Sequence, residues 1–166
     1  MQNLGILLID MQENFINGNN PLLEEKEMAR LVEAQIRFLN IVKRKQIPIF
    51  TIEYENRGET ILKLREILRQ SENYVIKKKK SNGFNNPELS PLLKGKGIKN
   101  LILTGIYSNV CIRETAEGAK KEGFNVLTCR ELADQPSECY VRWYQENTDN
   151  SKTIDELLRK ISNPNL

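Results

Sequence analysis

The chain has 166 residues, 39% of them hydrophobic and 28% charged, with a formal net charge of +3 and no histidine. Those values suit one globular domain over residues 1–166 with a single core, not a disordered or membrane-spanning chain, and so small a charge does not require a nucleic-acid partner. Without histidine, Ser-His-Asp and Cys-His relays and His-ligated zinc or iron sites are excluded within one chain; a carboxylate-only Mg²⁺ or Ca²⁺ site stays open, though no D-x-D-type cluster marks one, and no metal or cofactor is expected.

The first predicted strand is the apolar run Leu4–Ile9, followed directly by Asp10. An amphipathic segment over about Leu22–Lys45 places Met28, Leu31, Val32, Gln35, Leu39 and Val42 at helical spacing. A second strand is expected at Ile47–Ile52, and a helix at Thr60–Arg69 with Ile61, Leu64, Ile67 and Leu68 inward. The third strand is Tyr74–Ile76, followed by four lysines, Lys77–Lys80. A short helix follows Pro87, then a fourth strand at Lys99–Ile106. Cys111–Glu122 reads as a helix whose Ala116, Gly118 and Ala119 allow close packing on a sheet, and Asn125–Thr128 as the fifth strand. Beyond Asp134, Pro136–Asn147 and Lys152–Ile161 both look helical, joined by the polar stretch Asn147–Ser151, with no convincing strand. The β-α alternation implies parallel strands and right-handed crossovers, hence an α/β fold with three α/β/α layers, five strands counted and a sixth left open.

Three cysteines, Cys111, Cys129 and Cys139, form no CxxC pair, and the first residues lack a signal-peptide pattern. Reduced thiols and a cytoplasmic location are therefore expected. Cys129 and Cys139 read as small buried hydrophobes. Tyr140, Trp143 and Tyr144, at helical spacing, read as core or subunit interface.

In open parallel sheets, sites form beyond the carboxyl ends of strands where strand order reverses. Asp10, the lysines and Cys111 each follow a predicted strand, so topology alone brings them to one edge. The segment Leu101–Cys111 reads as a buried strand, a sharp turn at Gly105, and a cysteine on exposed backbone opening a helix. A helix N-terminus favours thiolate, and a thiol nucleophile needs a base. Here that base must be a carboxylate, a lysine or another residue, and Asp10 is the candidate. Plainer roles stand beside these: a helix cap for Asp10, a buried hydrophobe for Cys111, and a solvated face for Lys77, Lys79 and Lys80.

Together these motifs resemble those of the isochorismatase-like cysteine hydrolases, over about residues 4–128. The resemblance rests on Ile9-Asp10-Met11-Gln12-Glu13-Asn14-Phe15, the Lys78 to Phe84 spacing, Leu89–Leu93, Thr104 to Ala116, and Gly123. It implies a Rossmann-like hydrolase fold and an Asp-Lys-Cys triad of Asp10 as base, Lys78 as cationic partner (Lys77 as fallback) and Cys111 as nucleophile. It also implies a cis peptide at Ile106–Tyr107 that aims the N–H groups of Tyr107 and Cys111 into an oxyanion hole. Nicotinamidases of the superfamily carry an Asp-x-His metal motif after the second strand; Thr51–Gly58 lacks it, so the chain looks closer to metal-free members. After strand five the family often shows Asp-Ala, where this chain has Arg130-Glu131.

The activity so implied is hydrolysis of a C–N bond in a small amide or carbamoyl compound through a thioester. The alternative is a member of the fold that binds a metabolite or partner without turnover. Phe15 and Tyr107 are expected to wall the pocket or simply pack. Gln12 contacts substrate or holds a loop, and Glu53 contacts Lys78 or a substrate amine or lies at the surface. The expected partner is a small molecule, with no nucleic acid or membrane, in a homo-oligomer.

Overall fold

An apolar run that buries alternate residues on both sides builds a sheet covered on both faces. The structure, a computed structural model, describes residues 3–17, 24–134 and 138–162, without the side chains of 138–141. Its elements are β1 (Leu4–Ile9), α1 (Glu13–Ile16), α2 (Glu25–Arg44), β2 (Ile49–Tyr54), α3 (Leu62–Leu68), β3 (Asn73–Lys78), α4 (Leu89–Gly95), β4 (Asn100–Gly105), α5 (Arg113–Lys121), β5 (Asn125–Ala133), α6 (Glu138–Asn147), β6 (Asp149–Ser151) and α7 (Ile154–Ile161). Among the described residues the strands form one parallel sheet in the order β3-β2-β1-β4-β5-β6. The three-layer α/β/α architecture expected from the sequence is what is found.

From β1, Leu4, Ile6 and Leu8 pack with Leu31 and Phe38 of α2, Leu64 of α3 and Leu157 of α7. Leu7 and Ile9 point the other way, toward Leu89 and Leu93 of α4, Ala116 and Ala119 of α5 and Tyr144 of α6. Burying one such side chain contributes about 1.5–3 kcal/mol, so these two clusters are the main hold on the sheet. Ala116 and Ala119 lie flat on it as expected; Gly118 serves another purpose, since a Cβ there would meet the Asn82 side chain at 2.6 Å.

The sixth strand lies in the polar stretch expected to be a plain connector. Asp149–Ser151 pairs with Leu127–Cys129 of β5. Three polar residues at a sheet edge carry neither alternation nor β-branched enrichment, so periodicity could not find them. The helix expected from Leu22 begins at Glu25, with residues 18–23 outside the described set. β5 runs to Ala133, five residues past the expected end. Cys139 and Tyr140, expected in the core or an interface, lie outside the described side chains. Trp143 and Tyr144 pack on the core, their rings edge-to-face at 5.1 Å. No helix among the described residues is long and apolar enough to cross a membrane.

Candidate active site

The strand order reverses between β1 and β4, and the residues that follow those two strands meet there. Asp10 leaves β1 with φ +55°, a left-handed conformation that non-glycine residues adopt at a cost of about 1–3 kcal/mol. Its N–H is fixed by the Ile52 carbonyl at 2.9 Å. Beside it Gly105 ends β4 with φ +115°, and a Cβ there would lie 2.0 Å from the Ile9 carbonyl oxygen. Only glycine fits so close to β1 in that conformation. The Ile106–Tyr107 peptide that follows is cis.

Lys78, the last residue of β3, reaches across this edge. Its Nζ donates to Asp10 Oδ2 at 2.7 Å and to the Ser81 carbonyl at 2.9 Å, and lies 4.9 Å from the centre of the Tyr54 ring. The side chains are 0% and 1% exposed, so the ion pair is fully withdrawn from water. Strand alternation explains the choice of lysine: Lys78 faces inward, while Lys77, Lys79 and Lys80 are exposed.

Cys111 sits differently from expectation. It does not open a helix on exposed backbone; it is buried within a π-helical turn, Ser108–Ile112, ahead of α5. Burial, joined by the charge of Asp10, pushes its thiol up to about 12, against the weaker pull of Lys78 and the Tyr107 backbone. The thiol therefore rests protonated. Burial also raises Asp10, outweighing Lys78, so Lys78 does not hold this carboxyl low as an isolated cation would. The thiol interacts with the Asp10 carboxylate, yet Asp10 Oδ1 is buried without a well-formed hydrogen bond among the described residues. A base of raised basicity beside a protonated thiol is suited to accept its proton as attack begins.

The surrounding residues divide. Glu53 is 4% exposed and meets Lys77, not Lys78: its Oε2 lies 2.5 Å from Lys77 Nζ, and its Oε1 accepts the N–H and hydroxyl of Thr60, each at 2.8 Å. Burial works against its charge, but Lys77 and Thr60 outweigh it and hold the carboxyl below its usual range. Gln12 is spent on a loop. Its Nε2 donates to the carbonyls of Tyr54 at 2.9 Å and Gly58 at 2.7 Å, and its Oε1 accepts from Tyr54 N–H at 2.7 Å. Phe15 and Tyr107 make an aromatic wall, edge-to-face at 5.8 Å, with the Arg57 guanidinium 5.7 Å from the Phe15 ring centre. Cys129 is 1% exposed in β5, and burial raises its thiol to about 11.

Asp134, which the sequence reading passed over, and Tyr144, read there only as core or interface, touch the turn that bears Cys111. Asp134 Oδ1 accepts the Ser108 N–H and the Tyr144 hydroxyl donates to the Ser108 carbonyl, both at 2.5 Å. A lone acid just past an apolar strand was the available signal for Asp134. Burial raises Asp134 to about 6 from an ordinary 3.8, against its hydrogen bonds. A raised acid favours the fold when protonated; that stability is full below pH 3.8 and is lost as the pH climbs through 6. Asp134→Asn cannot ionise, and at 1.36 kcal/mol per unit it is expected to gain about 3 kcal/mol over the parent at pH 8 and almost none at pH 4, read from urea melts. An equal gain at both pH values would contradict the assignment.

Among the described residues no group of three or more His, Cys, Asp or Glu side chains is placed to hold a metal ion. A family profile described as the Isochorismatase domain matches residues 5–143. The ureidoacrylate amidohydrolase RutB of Yersinia enterocolitica is 44% identical over 63 residues, 37% of this chain and 27% of its own length. The match thus spans little more than a quarter of that relative. The N-carbamoylsarcosine amidase of Thermoplasma acidophilum superposes with a TM-score of 0.77 at 17% identity, over 91% of this chain and 95% of its own. An isochorismatase-like hydrolase from Alkaliphilus metalliredigens gives 0.81 at 23% identity, over 95% and 98%. Likeness at such identities shows a shared fold.

Proposed function

This chain belongs to the isochorismatase family, and from that premise we propose that it is a cysteine amidohydrolase cleaving a C–N bond of a small amide or carbamoyl compound. The observation that carries the proposal is the buried cluster of Asp10, Lys78 and Cys111 at the strand-order reversal.

Asp10 takes the thiol proton as Cys111 Sγ attacks the carbonyl carbon. The negative charge passes to the carbonyl oxygen, which the N–H groups of Tyr107 and Cys111 receive; losing one such donor costs about 3–4 kcal/mol. The tetrahedral adduct collapses, the C–N bond breaks, and Asp10 returns the proton to the departing nitrogen. Water then gives a proton to Asp10 and adds to the thioester, the C–S bond breaks, and the acid leaves as the thiol is restored. Lys78 opposes, without cancelling, the burial that raises Asp10 and, as an ammonium beside the sulfur, lowers the energy of the transient thiolate. Gln12 holds the loop bearing Arg57, and Glu53 is set against Lys77, so their roles here are to shape the site's rim.

The test incubates the protein with ureidoacrylate, N-carbamoylsarcosine and simple amides, measures ammonia release, and looks for an acyl adduct on Cys111 by mass spectrometry of quenched samples. Release that is lost in Cys111→Ala, with the adduct on Cys111, is expected. Tight binding of an amide with neither turnover nor adduct would favour the non-catalytic binding protein instead.

The rim carries a further expectation. Arg57 is exposed and stacks over Phe15, whose edge meets Tyr107. A carboxylate on the substrate gains from that cation by the about 0.2–1 kcal/mol of an exposed pair. Arg57→Ala is expected to raise KM about two- to fivefold for a carboxylate-bearing amide and to leave a neutral amide unchanged. Equal effects on both would remove Arg57 from recognition.

A further inference from the structure

The turn that presents Cys111 is gripped by two buried side chains that take no part in the hydrolysis. β5 does not stay in register with β4: Leu103 faces Thr128, but Gly105 faces Ala133. The residues between, Cys129–Leu132, bulge out of the pairing with β4, and this irregularity delivers Asp134 to the turn after Gly105. There Asp134 Oδ1 accepts the Ser108 N–H at 2.5 Å, while Tyr144, from α6, donates its hydroxyl to the Ser108 carbonyl at 2.5 Å. Asp134 is 8% exposed and Tyr144 is 5% exposed.

These bonds fix two successive peptide units. The Tyr107–Ser108 unit is held by its N–H to Asp134 and by its carbonyl, which accepts the N–H groups of Val110 and Ile112 at 3.1 and 3.0 Å. The Ser108–Asn109 unit is held by its carbonyl to Tyr144. A π-helical turn is wider and less common than an α-turn and is frequent at functional sites; here these two side chains hold it from outside. Cys111 lies three residues beyond Ser108, and Tyr107 just before it. The Asp134 carboxyl is also placed where burial disfavours its charge, a local conflict of the kind that functional sites retain.

We propose that Asp134 and Tyr144 are positioning residues that clamp Ser108 and so hold the Cys111 thiol against Asp10. The proposal rests on Cys111 being the nucleophile, but its first test needs no substrate. Loosening the clamp lets the thiol leave both causes of its low reactivity, burial and the Asp10 charge. Iodoacetamide labelling resolved by mass spectrometry follows Cys111, with Cys129 of the same β5 as an internal reference for general opening. In Asp134→Ala, Cys111 is expected to label about tenfold faster at pH 8, the change one pKa unit produces, with Cys129 unchanged. Asp134→Asn, which keeps the acceptor oxygen, is expected to label like the parent, and Tyr144→Phe to fall between.

An unchanged Cys111 rate in Asp134→Ala would overturn the clamp. So would Cys129 accelerating in step, because that reports loosening of the whole sheet. With a turned-over amide, kcat in Asp134→Ala is expected to fall about 100-fold, the scale of a misplaced nucleophile, with KM within threefold. A parent that hydrolyses no amide would sink the hydrolase reading, while the labelling still decides the clamp.

Discussion

Asp10→Asn is expected to abolish amide turnover, by about three orders of magnitude or more, and at the same time to make Cys111 easier to alkylate. The two effects have opposite signs because Asp10 does two things. In the proposed mechanism it accepts the thiol proton during attack, and its charge is one reason the resting thiol stands near 12. Removing the charge takes away that opposition and leaves the Lys78 ammonium unneutralised beside the sulfur, so the thiol becomes more acidic. Burial, the larger cause, remains, and the shift is therefore partial. Iodoacetamide rates across pH 6–10 are the measurement: the curve for Asp10→Asn should lie to the acid side of the parent's. Slower alkylation in the variant would mean that Asp10 activates a resting thiolate, and the protonated ground state described here would be wrong.

Lys78→Met is expected to cost about 3–5 kcal/mol of stability as well as activity, because it strands a buried carboxylate. The pair is 0% and 1% exposed, so water cannot compensate, and among the described residues Asp10 Oδ1 already lacks a well-formed partner. Losing the cation raises Asp10 further, so the loss should be greatest at neutral and higher pH and shrink toward pH 4, where the carboxyl protonates cheaply. Adding Asp10→Asn should recover much of the loss, since the double variant buries no charge. Urea melts of both single variants and the double one provide the cycle. If Lys78→Met melts at the parent's midpoint, the pair is not the buried ion pair drawn here.

Much of the frame was legible from local pattern. The run Leu4–Ile9 is apolar at every position because it is covered on both faces, and it was found at its observed limits. α2 was found from its spacing, and β4 and the Gly105 turn from apolar residues ending in glycine. β6 escaped because three polar edge residues have no period to detect. The end of β5 escaped because Cys129–Leu132 leave the regular pairing with β4 and their sequence, Cys-Arg-Glu-Leu, breaks alternation. Asp134 was lost with it.

The site was legible as a set of residue types and not as an electrostatic state. The missing histidine and the motifs at Asp10, Lys78 and Cys111 pointed to one edge of the sheet, with Lys78 taken from its spacing to Phe84 and Lys77 as fallback; the structure sets Lys78, not Lys77, against Asp10. Glu53 could not be assigned, because its partners Thr60 and Lys77 lie 7 and 24 residues away. The thiol was expected on exposed backbone, favoured as thiolate; the structure buries it beside a carboxylate and reverses the sign. Local sequence by itself determined where the chain is apolar, where it must turn, and which chemical groups stand at or just past the ends of β1, β3 and β4, since these follow from side-chain periodicity and glycine geometry over a few residues. Only the tertiary structure decided which groups share a dry space: Asp10 and Lys78 are 68 residues apart and Ser108 and Asp134 are 26 apart, and a proton's preference among them is set by desolvation and by charges that only the folded chain brings together.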